Sequence, residues 1–215
     1  MLDNDYNGPA LQSAEIQLDA DLAPHYVHPA RPATRSRVAP ERHPALVIAL
    51  HWGTAVALVV AVGAMFVRDA IEDNGYRTLL LQLHRQLGLL VLLVAVWRLV
   101  TRFRHGLADH APDMAWLLRW AARAAHVGLY ALLLALPVLG WALTNAHETP
   151  LRLFGVIPLP AITAPDSEFA DTLYDYHVWL AWGMLAMVVA HAGAALWHHF
   201  VRRDKVLSAM LPGKR

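Results

Sequence analysis

The chain contains no cysteine. That removes disulfides, thiolate metal sites, iron–sulfur clusters and thioether-linked cofactors in one step, so any metal must be held by histidine, methionine or oxygen. Charge is also scarce: 16% of the 215 residues are Asp, Glu, Lys or Arg, against 57% that are hydrophobic. This balance is too apolar for a single soluble domain of this size, and membrane lipid is the expected surrounding. The formal net charge of +1 says little by itself, and no nucleic-acid partner is expected. The first residues, MLDNDYNG, are acidic and lack an apolar run, so no cleavable signal peptide is expected.

What the chain does have is four apolar runs of membrane-crossing length. They are Ala45–Val67, Leu79–Val100, Ala121–Thr144 and Tyr174–Phe200. The expected fold is therefore all-α, an integral membrane four-helix bundle over 45–200. Residues 1–44, polar and without a sustained period, read as a disordered tail, and 201–215 as a short basic tail. The connection 68–78 is short and acidic; the connection 101–120 is basic, and Met114–Trp120 suits a short amphipathic helix at the interface. Pro137 lies inside the third run, where neighbouring helices can compensate its missing hydrogen bond. The loop 145–172 carries Pro150, Pro158, Pro160 and Pro165.

Lysine and arginine orient the bundle. Fourteen flank one side: Arg31, Arg35, Arg37 and Arg42 before the first span, Arg98, Arg102, Arg104, Arg119 and Arg123 around the second connection, and Arg202, Arg203, Lys205, Lys214 and Arg215 at the end. Only Arg68, Arg77 and Arg152 lie on the other side, with Arg85 inside the second span. Both termini are therefore expected in the cytoplasm. The outer side also carries eight acids, Asp69, Glu72, Asp73, Glu148, Asp166, Glu168, Asp171 and Asp175.

An imidazole buried in hydrocarbon is costly, so a histidine inside a span is a functional candidate with a partner to be found. His177 and His191 are fourteen positions apart on the last span, which returns to within about 40° of the same direction and separates them by about 21 Å along the axis. They cannot share one ion, and each lies near one membrane surface. With the topology above, His84 of the second span matches the depth of His177. His51 of the first span and His126 of the third both match His191, and depth alone does not choose between them. Paired neutral imidazoles from facing helices, in a chain without cysteine, are the donor set for axial ligation of b-type haem. Two such pairs, stacked, suit electron passage across a bilayer. The competing explanations are plainer: a single intramembrane histidine can bond a neighbouring carbonyl, and a histidine-lined metal transporter would use the same residue type. Gly53, Gly88, Gly183 and Gly193 follow the four histidines by two to six positions and would leave room for a flat ring. His198, two turns beyond His191, shares its face, and an imidazole at the membrane surface suits the coupled electron and proton chemistry of a quinone.

Several motifs in order resemble the bacterial cytochrome b561 family: ALHW at 49–52, LHRQLGLLVLLVAVWRL at 83–99, AHVGLYALLLALPVLGW at 125–141, LFGVIPLP at 153–160 and HAGAALWHHFVRRDKVLSAMLP at 191–212. The resemblance spans about Ala45–Pro212 and implies a four-helix protein of the bacterial inner membrane with two haem b groups. It places the axial ligands at His51, His84, His177 and His191, which leaves His126 beside them rather than on the iron. It also implies ubiquinone as substrate or bound cofactor, and the HHF motif at His198 looks like a quinone-side histidine. The expected function is transfer of single electrons across the bilayer between an outer-face (periplasmic) partner and membrane quinone. The family also includes a superoxide oxidase, which passes electrons from superoxide to ubiquinone. That activity needs a positive entrance, for which Arg85 and Arg152 are the available cations near the outer histidines. A third possibility is the cytochrome b subunit of a larger dehydrogenase or hydrogenase, with a separate redox protein as partner.

Overall fold

The computed structural model describes residues 44–105, 116–204 and 206–211. The tail 1–44, apart from Pro44, and the last four residues lie outside them, as does most of the connection after the second helix. Helix α1 spans Ala45–Ala70, α2 Asn74–His105, α3 Trp116–Ala146 and α4 Ser167–Trp197. Helix α4 continues into one π-helical turn, His198–Arg202, and a 3-10 turn follows at Ser208–Met210. The loop between α3 and α4 holds a two-residue ribbon, β1 (Arg152–Leu153) against β2 (Ile157–Pro158), antiparallel with Arg152 opposite Pro158 and Leu153 opposite Ile157. All four helices are long and apolar enough to cross a membrane. At about 1.5 Å per residue they run about 39 to 48 Å, well beyond a hydrocarbon slab of about 30 Å.

The helices overrun the apolar runs because their ends are capped by polar residues outside the hydrocarbon. Asp73 Oδ1 accepts from Tyr76 N at 3.0 Å, so α2 starts at Asn74 and the 68–78 connection shrinks to Ile71–Asp73. Asp166 Oδ1 accepts from Phe169 N at 2.9 Å, and α4 starts seven residues before the apolar run. Both are side-chain caps, each stabilising by about 1 kcal/mol. Glu168 in the first turn of α4 adds a favourable charge at the helix N-terminus. The separate interfacial helix expected over 114–120 is absent among the described residues: Trp116–Trp120 is simply the first part of α3. No glycine or proline intervenes between Trp116 and Ala125, so the helix has no reason to stop.

Consecutive helices pack side by side, so the bundle has a loop end, where residues 147–166 lie, and a tail end, where 206–211 lie. Its middle is an apolar layer with a contribution from every helix: Ala57, Val91, Ala95, Leu133 and Met184 are buried together. A second cluster, Ala142, Ala146, Ala170 and Leu173, joins α3 to α4 at the loop end. Alanine at these contacts lets backbones approach closely, which is how packing is gained where lipid removes the hydrophobic drive. The outward faces are apolar as well, with Val59 71%, Val127 70% and Trp179 76% exposed. Such surfaces belong against lipid. Hydroxyls inside the spans bond back one turn, Thr54 to the Leu50 carbonyl and Thr144 to that of Gly140, both at 2.7 Å, so neither hydroxyl hydrogen is left unbonded in hydrocarbon.

The loop-end connection is stitched to the bundle. Gln86 of α2 donates from Nε2 to the Arg152 carbonyl at 2.9 Å and accepts at Oε1 from Phe154 N at 2.7 Å. Trp141 Nε1 donates to the Pro160 carbonyl, and Asn145 Oδ1 accepts from Ile162 N, both at 3.1 Å. Phe154 and Gly155 adopt positive φ at the ribbon's turn. At the tail end, Trp52 Nε1 of α1 donates to the Met210 carbonyl at 2.7 Å. The 201–215 segment is therefore not only a solvated basic tail: residues 206–211 fold back onto the first helix.

Candidate functional site

Two histidine pairs sit inside the bundle, one on either side of the apolar middle layer. Met184 marks that layer on α4, seven residues from His177 and seven from His191, so each histidine stands about 10 Å from it along the axis. At the loop end, the His84 and His177 ring centres are 6.0 Å apart with planes at 75°. At the tail end, His51 and His191 are 6.3 Å apart at 65°, and His126 lies 5.6 Å from His191 at 66°.

These separations can be tested against the requirement for two imidazoles on opposite sides of one metal. A metal–imidazole nitrogen bond is about 2.0–2.1 Å long, and the nitrogen lies about 1.1 Å from its ring centre, so opposed rings have centres about 6.3 Å apart. The His84–His177 and His51–His191 pairs fit to within a few tenths of an ångström. His126–His191 falls shorter. Among the described residues no group of three or more His, Asp or Glu side chains forms a metal-binding cluster.

At the loop end the ring orientation is set by the backbone. His84 Nδ1 lies 3.0 Å from the Ala61 carbonyl of α1. A carbonyl only accepts, so the proton is on Nδ1 and the Nε2 lone pair is left for a metal, the tautomer that outer hydrogen bonds commonly impose on ligating histidines. Ala61 is itself 5% exposed, so this acceptor is fixed in packed helix. The partner ring is less satisfied. His177 interacts with the Leu136 backbone, but its buried Nδ1 has no hydrogen bond of ordinary geometry, an orphaned polar atom beside the place a metal would take. Its ring lies against Gly140 of α3, where a β-carbon would stand 3.3 Å from His177 Cε1. Glycine there gives the imidazole its space.

The tail-end pair is electrostatically different. Arg98 of α2 places Nη2 3.3 Å from His51 Nδ1. At that length the contact sets a guanidinium beside the imidazole without fixing which ring nitrogen carries the proton. Arg98 and Arg102 both stack on Tyr130 of α3, 5.7 and 5.9 Å from its centre, and Arg98 makes no ion pair with a carboxylate among the described residues. The tail end therefore presents two cations beside three imidazoles.

His198, expected at the quinone side, is 9% exposed and begins the π-helical turn, with Trp197 edge-on at 5.3 Å. Its Nδ1 bonds Asp204 Oδ2 at 2.5 Å. Some desolvation pushes the Asp204 carboxyl up, but the hydrogen bonds from His198 and the Val206 N–H and the nearby Arg202 outweigh it, holding the group below the ordinary carboxylate value. His199 packs on Phe200 instead.

Sequence reasoning placed the glycines less well than the histidines. Gly53 and Gly193 are turned about 160° from His51 and His191, and Gly183 about 120° from His177; all three are exposed. Only Gly88, about 40° from His84, shares its histidine's face. The glycines that shape the interior are Gly140 and Gly128, the latter holding the end of Met187, whose Cε would lie 2.7 Å from an added β-carbon. Gly140 sits in the quoted ALPVLGW run, but its contact with His177 depends on the relative rotation of α3 and α4. Asp204 and Arg98, likewise unassigned from sequence, are visible only once the tail and α2 are folded.

Comparison with known proteins gives the family of the chain. The prokaryotic cytochrome b561 family model matches residues 42–213. The chain is 33% identical over 174 residues to cytochrome b561 homolog 2 of Escherichia coli (strain K12), covering 80% of this chain and 92% of that protein. It is 32% identical over 171 residues to cytochrome b561 homolog 1 of the same organism, covering 78% and 96%. It is 27% identical over 175 residues to a Yersinia pestis protein named probable superoxide oxidase CybB, covering 81% and 98%. With four membrane-capable helices and this match over most of its length, the chain belongs to the prokaryotic cytochrome b561 family and is a bacterial membrane cytochrome of the b type.

Proposed function

We propose that this cytochrome carries two haem b groups, one per membrane leaflet, and passes single electrons between a redox partner at the outer face and quinone at the cytoplasmic face. The observation that carries the reading is the pair of ring separations, 6.0 and 6.3 Å, each matched to opposed ligation and set on opposite sides of an apolar layer. His84 and His177 are the ligands at the loop end, His51 and His191 at the tail end. Bound haem b supplies a one-electron couple at each level.

The chain's own residues do the rest. The Ala61 carbonyl holds the His84 tautomer, Gly140 keeps the His177 ring unobstructed, and the middle layer excludes water between the two levels. Arg98 and Arg102 offer positive charge to the carboxylates of the tail-end haem, and His126 stands beside that site without ligating. The tail end faces the cytoplasm, by the lysine and arginine distribution. Residues 1–44 lie on the same, cytoplasmic side. His198 at that face contacts quinone.

The test uses purified protein reduced with dithionite, freed of excess reductant and mixed rapidly with a soluble ubiquinone. Haem absorbance should return to the oxidised form at a rate that saturates with quinone. Haem that stays reduced, or a rate without saturation, would remove quinone as the partner.

A second reading is favoured by the loop-end cations. Arg85 adjoins His84 and lies within electrostatic reach of Arg68, whose Nη1 bonds Asp69 at 3.1 Å while its buried Nε has no partner. Two neighbouring guanidiniums attract a small anion, and superoxide as the donor would make the protein a superoxide:ubiquinone oxidoreductase. Two superoxide ions, one quinone and two protons then give two dioxygen molecules and one quinol. Superoxide-dependent quinol formation that falls in Arg85→Gln, with both haems retained, distinguishes this reading from a protein-partnered cytochrome.

A further inference from the structure

The proposed activity leaves Asp204 without a role. It is the one carboxylate among the described residues that contacts an interior-facing histidine, with Oδ2 2.5 Å from His198 Nδ1. It is held in place from three directions. Its own N–H donates to the His198 carbonyl at 3.2 Å, across a left-handed Arg203 with φ 53°. Its Oδ1 accepts from Val206 N at 3.2 Å. The segment that follows is tied to α1 through Trp52 and Met210. The charged group in contact with the pair is Arg202, with Nε 3.8 Å from Oδ2. A π-helical turn ending in a left-handed residue is an irregular way to finish a spanning helix, and such turns recur at functional sites. Here it brings the carboxylate six residues back onto the imidazole.

The consequence is directional. A carboxylate accepts only, so Nδ1 of His198 carries a proton and Nε2 is the nitrogen free to exchange one. The His198 ring makes no other hydrogen bond among the described residues. The imidazole is 11% exposed by its side chain, while the carboxylate is 32% exposed. The pair therefore runs from a sheltered ring to a water-facing acid.

We propose that Asp204 is a positioning residue for quinone protonation: it fixes the His198 tautomer and ring orientation, so that Nε2 is the nitrogen presented to a quinone oxygen. This rests on His198 being the quinone-side histidine. Reduction of one quinone to one quinol takes two electrons, delivered singly by the reduced cytochrome, and two protons. One of those protons passes from His198 Nε2 to a quinone oxygen as that oxygen gains charge. The ring is left neutral with its Nδ1–H still on Asp204, and cytoplasmic water recharges it. A positioned acid of this kind contributes about 10²- to 10⁴-fold.

The rapid-mixing experiment tests this with His198→Ala, Asp204→Asn and Asp204→Glu, each checked for unchanged haem content and spectrum. Asp204→Asn should lower the maximal rate of haem reoxidation by about 10²-fold, with the quinone concentration for half-maximal rate within twofold of wild type, and Asp204→Glu should recover most of the loss. A wild-type maximal rate in Asp204→Asn, or a loss confined to quinone affinity and not rescued by Glu, would overturn the proposal and leave Asp204 as an anchor for the tail. A wild-type rate in His198→Ala would instead refute the quinone-side assignment on which it rests. Should Asp204→Asn fail to assemble, nitrogen NMR of histidine-labelled, dithionite-reduced wild type decides: neutral His198 protonated on Nδ1 supports the proposal, and protonated on Nε2 contradicts it.

Discussion

Replacing Gly140 by alanine adds one methyl group at a position where the structure says what it would meet. The new β-carbon would stand 3.3 Å from His177 Cε1 and 3.7 Å from Nδ1. Carbon atoms prefer about 3.5–4.0 Å, so the ring must retreat by about 0.2 to 0.7 Å, and a ligand set must be held to about 0.5 Å to work. An imidazole pinned to a metal cannot yield as a free side chain does, and overpacking of this kind costs about 1–3 kcal/mol. At about 1.4 kcal/mol per decade, the loop-end haem should be held roughly 5- to 150-fold less tightly. The substitution does not weaken the helix itself, since alanine is favoured over glycine there by up to about 1 kcal/mol. The assay is haem per chain by pyridine haemochrome, with a reduced-minus-oxidised spectrum, on protein purified through extensive washing. The control is Gly128→Ala, whose β-carbon would come within 2.7 Å of Met187 Cε, a closer approach but to the free end of a flexible side chain. Gly140→Ala should lose or spectrally shift one haem while Gly128→Ala keeps both. Full haem content with an unaltered spectrum in Gly140→Ala would refute the placement of His177 on the iron.

Other consequences follow from single contacts. His126→Leu should keep two haems and shift only the spectrum or potential of the tail-end one, measured by redox titration; loss of a haem would make His126 the ligand in place of His51. Gln86→Ala removes two hydrogen bonds to the loop-end ribbon, each contributing about 1 kcal/mol, so the Phe154 amide should exchange hydrogen at least tenfold faster with haem content unchanged. The Asp204 carboxyl is held below its ordinary value, so its contribution to docking the tail is complete above about pH 4, the unfolded carboxylate range, and is lost as pH falls through the lower folded value. Protection of the Val206 amide should therefore be constant from neutral pH down to about 5 and fall only in stronger acid. Opening near pH 6 would contradict the assignment.

The helices and histidine levels were legible because two simple constraints act on them. An apolar run must satisfy its own backbone by forming a helix, and the cationic flanks assign each histidine a depth, so sequence alone matches His84 with His177. What depth could not do was choose between His51 and His126 beside His191, because that choice depends on helix rotation. The same gap explains the glycines: being near a ligand in sequence put Gly53 and Gly193 on the exposed face, whereas Gly140, on another helix, touches the His177 ring. Helix ends were misjudged where Asp73 and Asp166 extend the helices past the apolar runs. Asp204 was hidden for a different reason, since a π-helical turn and a left-handed residue bring it back to His198, and neither has a local signature in RRDK.

The central claim is that two histidine pairs hold two separate haems. Haem stoichiometry and redox-difference spectra of wild type, His177→Ala and His191→Ala test it most directly. Two b haems in the wild type, with a different one lost in each variant, are the predicted result. One haem in the wild type, or the same haem lost in both variants, would contradict it.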